Sequence, residues 1–123
     1  MDLVLIEKEL NKLVDKAIRN QEVPVAAIIV KDNKIISKAY NKVNKRNNIL
    51  NHAEILAIKK ASKKINNWRL NNCDIYVTLE PCSMCAGAII NSRIRKVYIG
   101  TMDEKTGACG SVLNLFEKVS FFI

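Results

Sequence analysis

Apolar residues recur at helical spacing near the start of the chain. Leu3, Ile6, Leu10, Leu13, Val14, Ala17 and Ile18 fall on one side, with Glu7, Lys8, Lys12 and Lys16 on the other. This spacing predicts an amphipathic helix packed on a sheet. Residues 23–30 then form an unbroken apolar run, the pattern of a strand buried on both faces, and 35–40 read as its partner. Asp32 and Asn33 between them suit a tight hairpin turn. Residues 41–48 are polar and carry Lys42, Lys45 and Arg46, which predicts a basic loop. A second helix starts at His52, with Ile55, Leu56 and Ile58 as its apolar positions and Lys59, Lys60, Lys63 and Lys64 as its solvated side. The polar loop 66–72 holds the lone Trp68, which beside Arg69 could stack a base but is read as a lid on the core.

Residues 74–79 predict a strand that delivers the chain to Glu80, Pro81 and a pair of cysteines. Pro81 suits a helix start, and 86–92 continue in helical fashion. A strand over 96–100 follows, then a loop over 101–111 with Gly107 and Gly110. A short helical patch around Leu113 and Phe116 and a final apolar run over 119–123 complete the chain. A hairpin followed by strands alternating with helices predicts an α/β layered fold with a mixed sheet.

At 123 residues the chain is expected to be one domain, residues 1–123. It has 20 Lys and Arg against 12 Asp and Glu, a formal net charge of +8, which points to an anionic partner. Asp2, Glu7 and Glu9 interrupt the amino-terminal region, so no targeting segment is expected there, and the longest apolar run is too short to span a bilayer. A cytoplasmic protein with no membrane association is the expectation. Four cysteines in a reducing compartment argue for metal or catalysis over disulfides. Cys73 and Cys109 bring no ligand spacing and are read as small buried residues.

Cys82 and Cys85, three apart, share one face of a helical turn, and a distant His52 can complete three protein ligands around one Zn²⁺ with a fourth position left open. An open position is the mark of a catalytic site. Within a regular helix His52 and Glu54 would diverge by about 200°, so both can face one ion only if they lie at the helix start. Glu54 is then placed to carry protons. A structural zinc would need a fourth protein ligand, and a redox dithiol would leave His52-Ala53-Glu54 without a purpose.

His-x-Glu followed by Pro-Cys-x-x-Cys is the established signature of zinc-dependent nucleobase deaminases. Beyond it, the chain resembles the bacterial tRNA-specific adenosine deaminase family over most of its length. The resemblance is carried by Glu22-Val23-Pro24-Val25, Asn41, the segment from Thr78 to Ala88 with Ser92-Arg93-Ile94, and the segment from Asp103 to Ser111. It implies a three-layer cytidine deaminase-like fold and one Zn²⁺ per chain held by His52, Cys82 and Cys85, with Glu54 as proton shuttle. It also implies that Asn41, Asp103 and Lys105 contact substrate. The implied reaction is hydrolysis of adenosine to inosine at the wobble position of a tRNA anticodon, by a homodimer. Deamination of free bases or nucleosides, and a non-enzymatic remnant, are the alternatives. Ala26 stands where the family usually has Gly, and the chain ends at Ile123 where family members continue, so a truncated carboxy-terminal strand and helix are expected.

Overall fold

The computed structural model describes residues 1–116, and the apolar run over 119–123 lies outside them. Helix α1 (Leu3–Arg19) leads into the hairpin β1 (Ala26–Lys31) and β2 (Lys34–Tyr40), then the one-turn helix α2 (Val43–Arg46) and helix α3 (Ala53–Ile65). Strand β3 (Cys73–Leu79), helix α4 (Ser83–Asn91) and strand β4 (Lys96–Thr101) follow. The four strands form one mixed sheet in the order β2-β1-β3-β4; β1 is antiparallel to both neighbours and β3 is parallel to β4. The α/β layered fold expected from the pattern is therefore the one adopted.

Asp32 and Asn33 take φ of 51° and 59°, the left-handed pair that a tight hairpin requires and that Asp and Asn tolerate. The strand ahead of that turn starts at Ala26, three residues later than the apolar run suggested. Pro24 has no N–H to give a ladder, and the Val25 N–H bonds back to the Val23 carbonyl at 2.8 Å, so the chain bends before joining the sheet. Once inside, Ala26, Ala27, Ile28 and Ile29 are wholly buried, as a strand covered on both faces must be.

One cover is α1, which lays Ile6, Leu10 and Leu13 on Ala26, Ile28, Val30 and Tyr76. Leu3 and Ile18, at its two ends, stay exposed despite their helical spacing. The Asp2 side chain accepts from the Val4 N–H at 2.9 Å and caps the start of α1. The other cover is α3, and here the sequence reading needs correction. The buried stripe is Ala53, Ala57 and Ala61, four apart and fully enclosed, while Ile55, Leu56 and Ile58 are only partly covered. Small side chains let the helix backbone approach the sheet, closely enough for the Ser37 hydroxyl to donate to the Ala57 carbonyl at 2.9 Å.

Two further segments differ from expectation. The basic stretch after β2 is not all loop, because residues 43–46 wind into α2. Around Leu113 and Phe116 the chain makes turns instead of a helix. Val112 and Leu113 donate to the Gly107 carbonyl and Leu115 to that of Ala108, which folds this segment back on the preceding loop. Among the described residues no helix is long and apolar enough to cross a membrane. Because the alanine stripe sets the spacing between α3 and the sheet, Ala57→Leu should lower the unfolding free energy by about 1–3 kcal/mol. Urea denaturation checks this, and an unchanged midpoint would mean that the helix is free to lift.

Candidate active site

Helices α3 and α4 begin at the same edge of the sheet, just past the ends of β2 and β3. Ordering comes from short ties. The Lys42 N–H, two residues past the end of β2, donates to the Asn51 carbonyl at 2.9 Å and fixes the residue before His52, while β3 passes through Glu80 and Pro81 straight into Cys82. His52 is the N-cap of α3, with extended backbone at φ −67° and ψ 150°, and its side chain makes no cap bond. Cys82 is the N-cap of α4, and Cys85 lies fully buried in the first turn. The helix-start placement demanded by His-x-Glu is thus what the chain adopts.

Donor atoms of His52, Cys82 and Cys85 all lie within 4.8 Å of one another. Imidazole Nδ1 stands 3.7 Å from the Cys82 sulfur and 3.4 Å from that of Cys85. A tetrahedral ion with metal–sulfur bonds of about 2.3 Å and metal–nitrogen bonds of about 2.0–2.1 Å would set these separations near 3.6 Å. The cluster is therefore sized for a metal ion held by two sulfurs and one nitrogen. Its electrostatics agree. A hydrogen bond from the Cys85 thiol, with help from the Cys85 and Met84 N–H groups and His52, outweighs burial and brings the Cys82 thiol down to about 5. The same bond, burial and the nearby Glu54 push the Cys85 thiol up. The two thiols are thus pushed in opposite directions, Cys82 toward the thiolate that a metal ion requires.

Glu54 sits in the first turn of α3 with 3% of its surface exposed, and burial raises its carboxyl above the ordinary range. An acid so placed beside metal donors can take up and return a proton. Asn41, just beyond β2, is buried at the same edge, and its side-chain Nδ2 donates to Glu22 Oε1 at 3.4 Å. Asp103 is engaged within its own turn: its carboxylate accepts from the Lys105 N–H at 3.0 Å, the Thr106 N–H at 3.3 Å and the Thr106 hydroxyl at 2.8 Å. Lys105 is exposed.

Sequence reasoning singled out neither Glu80 nor Glu22 for a role of its own. Glu80, 3% exposed, is the centre on which the 101–111 loop is folded. It accepts from the N–H groups of Asp103 and Cys109 at 2.9 Å and of Ser111 at 3.0 Å, and from the Ser111 hydroxyl. Burial alone would raise its carboxyl, but these bonds prevail and hold it at about 2. Gly107 packs so close that a Cβ there would run into the Glu80 carboxyl group. The Ala108 N–H, bonded to the Pro81 carbonyl at 2.9 Å, joins the loop to the cysteine segment. The only hint in the sequence was an acidic residue stranded between an apolar strand and Pro81.

Trp68 is not a lid. It is 53% exposed, with the Arg69 and Arg93 guanidinium groups 4.4 and 5.8 Å from its ring, and the core position nearby is filled by the fully buried Leu70. The helix-ending Asn66, in left-handed conformation, and the bond from the Arg69 N–H to Asn67 Oδ1 turn the Trp outward. Cys73 is buried as expected, whereas Cys109 is only partly so and lies 4.0 Å from the Pro81 carbonyl, its thiol pushed up to about 11 by burial.

A family model for the MafB19-like deaminases matches residues 1–122, so fold and donor cluster together define a deaminase. The tRNA-specific adenosine deaminase of Rickettsia bellii is 46% identical over 117 residues, 94% of this chain and 81% of that protein. That of Bacillus subtilis is 42% identical over 117 residues, 95% of this chain and 73% of its own length. The chain belongs to the family of tRNA-specific adenosine deaminases. Its fold superposes with a TM-score of 0.92 and 36% identity on a structure from studies of A-to-I editing by tRNA:A34 deaminases at the wobble position, covering 96% of this chain and 91% of that one. Guanine deaminase from Bacillus subtilis is more distant, with a TM-score of 0.73 and 28% identity over 94% of this chain and 85% of its own.

The Asp103 turn generates a pH prediction. The bonds from Thr106 and Lys105 lower its carboxyl. Their stabilisation is therefore present above the unfolded value of about 3.9 and lost as pH falls through the lower folded value. A carboxyl-carbon NMR titration should place the Asp103 midpoint below about 3.9. A midpoint at or above that value would show that these bonds do not favour the charged form.

Proposed function

We propose that residues 1–123 form one zinc-dependent deaminase domain that hydrolyses adenosine to inosine at the wobble position of a tRNA anticodon. The observation that carries this reading is the meeting of His52, Cys82 and Cys85 with the buried Glu54, in a chain of this family. His52 and the two cysteines would hold one Zn²⁺. Two thiolates and a neutral imidazole are a donor set that suits zinc, and three protein ligands leave the ion reactive. When bound, zinc supplies the Lewis acidity that makes water a competent nucleophile near neutral pH.

The rest falls to the chain's own residues. Two thiolates offset the charge of the ion, so a separate base is needed, and Glu54 is the buried carboxyl at hand. It takes a proton from the attacking water and delivers it to the ring nitrogen next to C6; it then takes the second proton from the hydroxyl added at C6 and passes it to the amino group, which leaves as ammonia while C6 becomes a carbonyl. Burial favours its neutral form and so suits a group that must return what it accepts. Asn41 holds the base or its sugar, and Asp103 and Lys105 lie against flanking nucleotides. Asp103 would act mainly by shaping its turn, since its carboxylate is already occupied by Lys105 and Thr106.

The basic surface fits an RNA partner. Lys42 is lowered first by burial and then by the charges of Lys60, Arg46 and Lys45, and among the described residues none of Lys42, Lys45 and Arg46 is paired with a carboxylate. Clustered cations of this kind await phosphates. An unpaired base in an anticodon loop can enter the pocket at small cost. A homodimer, as the family resemblance implies, acting in the cytoplasm completes the reading.

Incubation of the metal-loaded protein with tRNA, and separately with free guanine, cytidine and adenosine, tests the proposal. Inosine at the wobble position is expected. Ammonia from free bases alone would assign the chain to the other deaminase class. Glu54→Gln should keep one zinc per chain while kcat falls by about 10²–10⁴-fold. Metal analysis beside the rate measurement checks this, and loss of zinc in that variant would make Glu54 a ligand. Raising salt from 50 to 200 mM should weaken tRNA binding by at least about tenfold if phosphates occupy the basic cluster.

A further inference from the structure

Glu22 is a second buried carboxylate, 6% exposed, that the proton chemistry does not use. Its surroundings explain why α2 exists. The N-cap of α2, Lys42, offers no side-chain acceptor, so the first-turn N–H groups lack the local partner that Ser, Thr, Asp or Asn would give. Glu22 supplies that partner from twenty residues upstream. Its Oε1 accepts from the Asn44 N–H at 3.0 Å and its Oε2 from the Lys45 N–H at 2.7 Å, the second and third residues of the helix. The same Oε1 accepts from Asn41 Nδ2 at 3.4 Å.

The anchor is tied at both ends. Glu22 donates its own N–H to the Ala17 carbonyl at 2.9 Å, and Asn44 Nδ2 bonds the Gln21 carbonyl at 3.1 Å, so α2 is tied to the end of α1. On the far side the bond from Lys42 to Asn51 ties it to the residue before His52. The tied segment carries Asn41, Lys42, Lys45 and Arg46. A carboxylate accepts and never donates, so Asn41 must turn its NH₂ toward Glu22, which sets the orientation of its amide.

We propose that Glu22 is a positioning residue for substrate: it caps α2 from outside, fixes the amide of Asn41, and holds the basic turn in register with the start of α3 as the wall against which the RNA is seated. Its effect on substrate rests on the tRNA reading above, whereas its effect on the wall does not. Glu22→Gln keeps the volume but replaces an acceptor with a donor that faces N–H groups, so the wall should loosen while the metal donors stay in place.

In full-length, metal-loaded Glu22→Gln, the Asn44 and Lys45 amides should exchange about tenfold faster, with the amides of α3 and α4 unchanged. Zinc content should remain at the wild-type level. KM for tRNA should rise about tenfold with kcat within about twofold, the loss expected when bonds to a charged acceptor go. Glu22→Asp, which retains the charge but pulls back by one methylene, should shift both readouts the same way by less, and it serves if the Gln variant does not fold. Unaltered exchange at Asn44 and Lys45 in the folded variants would overturn the proposal, as would a fall in kcat that tracks lost zinc. If the wild-type protein makes no inosine in tRNA, the tRNA reading fails, and exchange at these two amides still decides what Glu22 does.

Discussion

Everything at this edge depends on two helices starting side by side, because the three residues that could hold a metal ion come from nothing larger than two helix starts. His52 is the last extended residue before α3 and Cys82 the last before α4. Extended backbone frees their side chains from the helical arrangement, and the following turns bring Glu54 and Cys85 in beside them. That convergence needs α3 held close to the sheet, which the stripe of Ala53, Ala57 and Ala61 allows. The site therefore depends on the packing of small residues that carry no chemistry.

Three glutamates are buried near this edge, and their surroundings separate their tasks. Glu54 has desolvation as its dominant influence, which leaves it prone to hold a proton. Glu80 is surrounded by donors from the loop it organises and is kept charged. Glu22 meets the first-turn amides of α2 and an asparagine. Burying a carboxylate is costly unless it is bonded, and Glu22 and Glu80 meet that cost with several donors each. Two of the three order the segments beside His52 and Cys82; the third, Glu54, lies beside the residues that could hold a metal.

The two segments are built alike although their sequences differ. Each is folded around an acceptor from elsewhere in the chain: residues 41–46 around Glu22, residues 103–111 around Glu80. Both are also tied by a backbone bond to a metal-donor segment, through Asn51 on one side and Pro81 on the other.

Local chemistry made much of this legible in the amino-acid sequence. Helical spacing located α1, strand-prone runs of residues located β2, β3 and β4, the Asp32-Asn33 pair marked the hairpin, and the geometry of His-x-Glu required a helix start, because these depend on neighbours a few residues apart. Only the tertiary structure decided the rest. Ala53, Ala57 and Ala61 became the face of α3 because closeness to a sheet favours small residues, which a hydrophobicity pattern ranks below Ile and Leu. Trp68 faces outward while Leu70, two residues on, is the side chain that enters the core. The first-turn amides of residues 43–46 meet Glu22, distant in sequence, which accepts from Asn44 and Lys45. No periodicity can register an interaction between segments that only folding brings together.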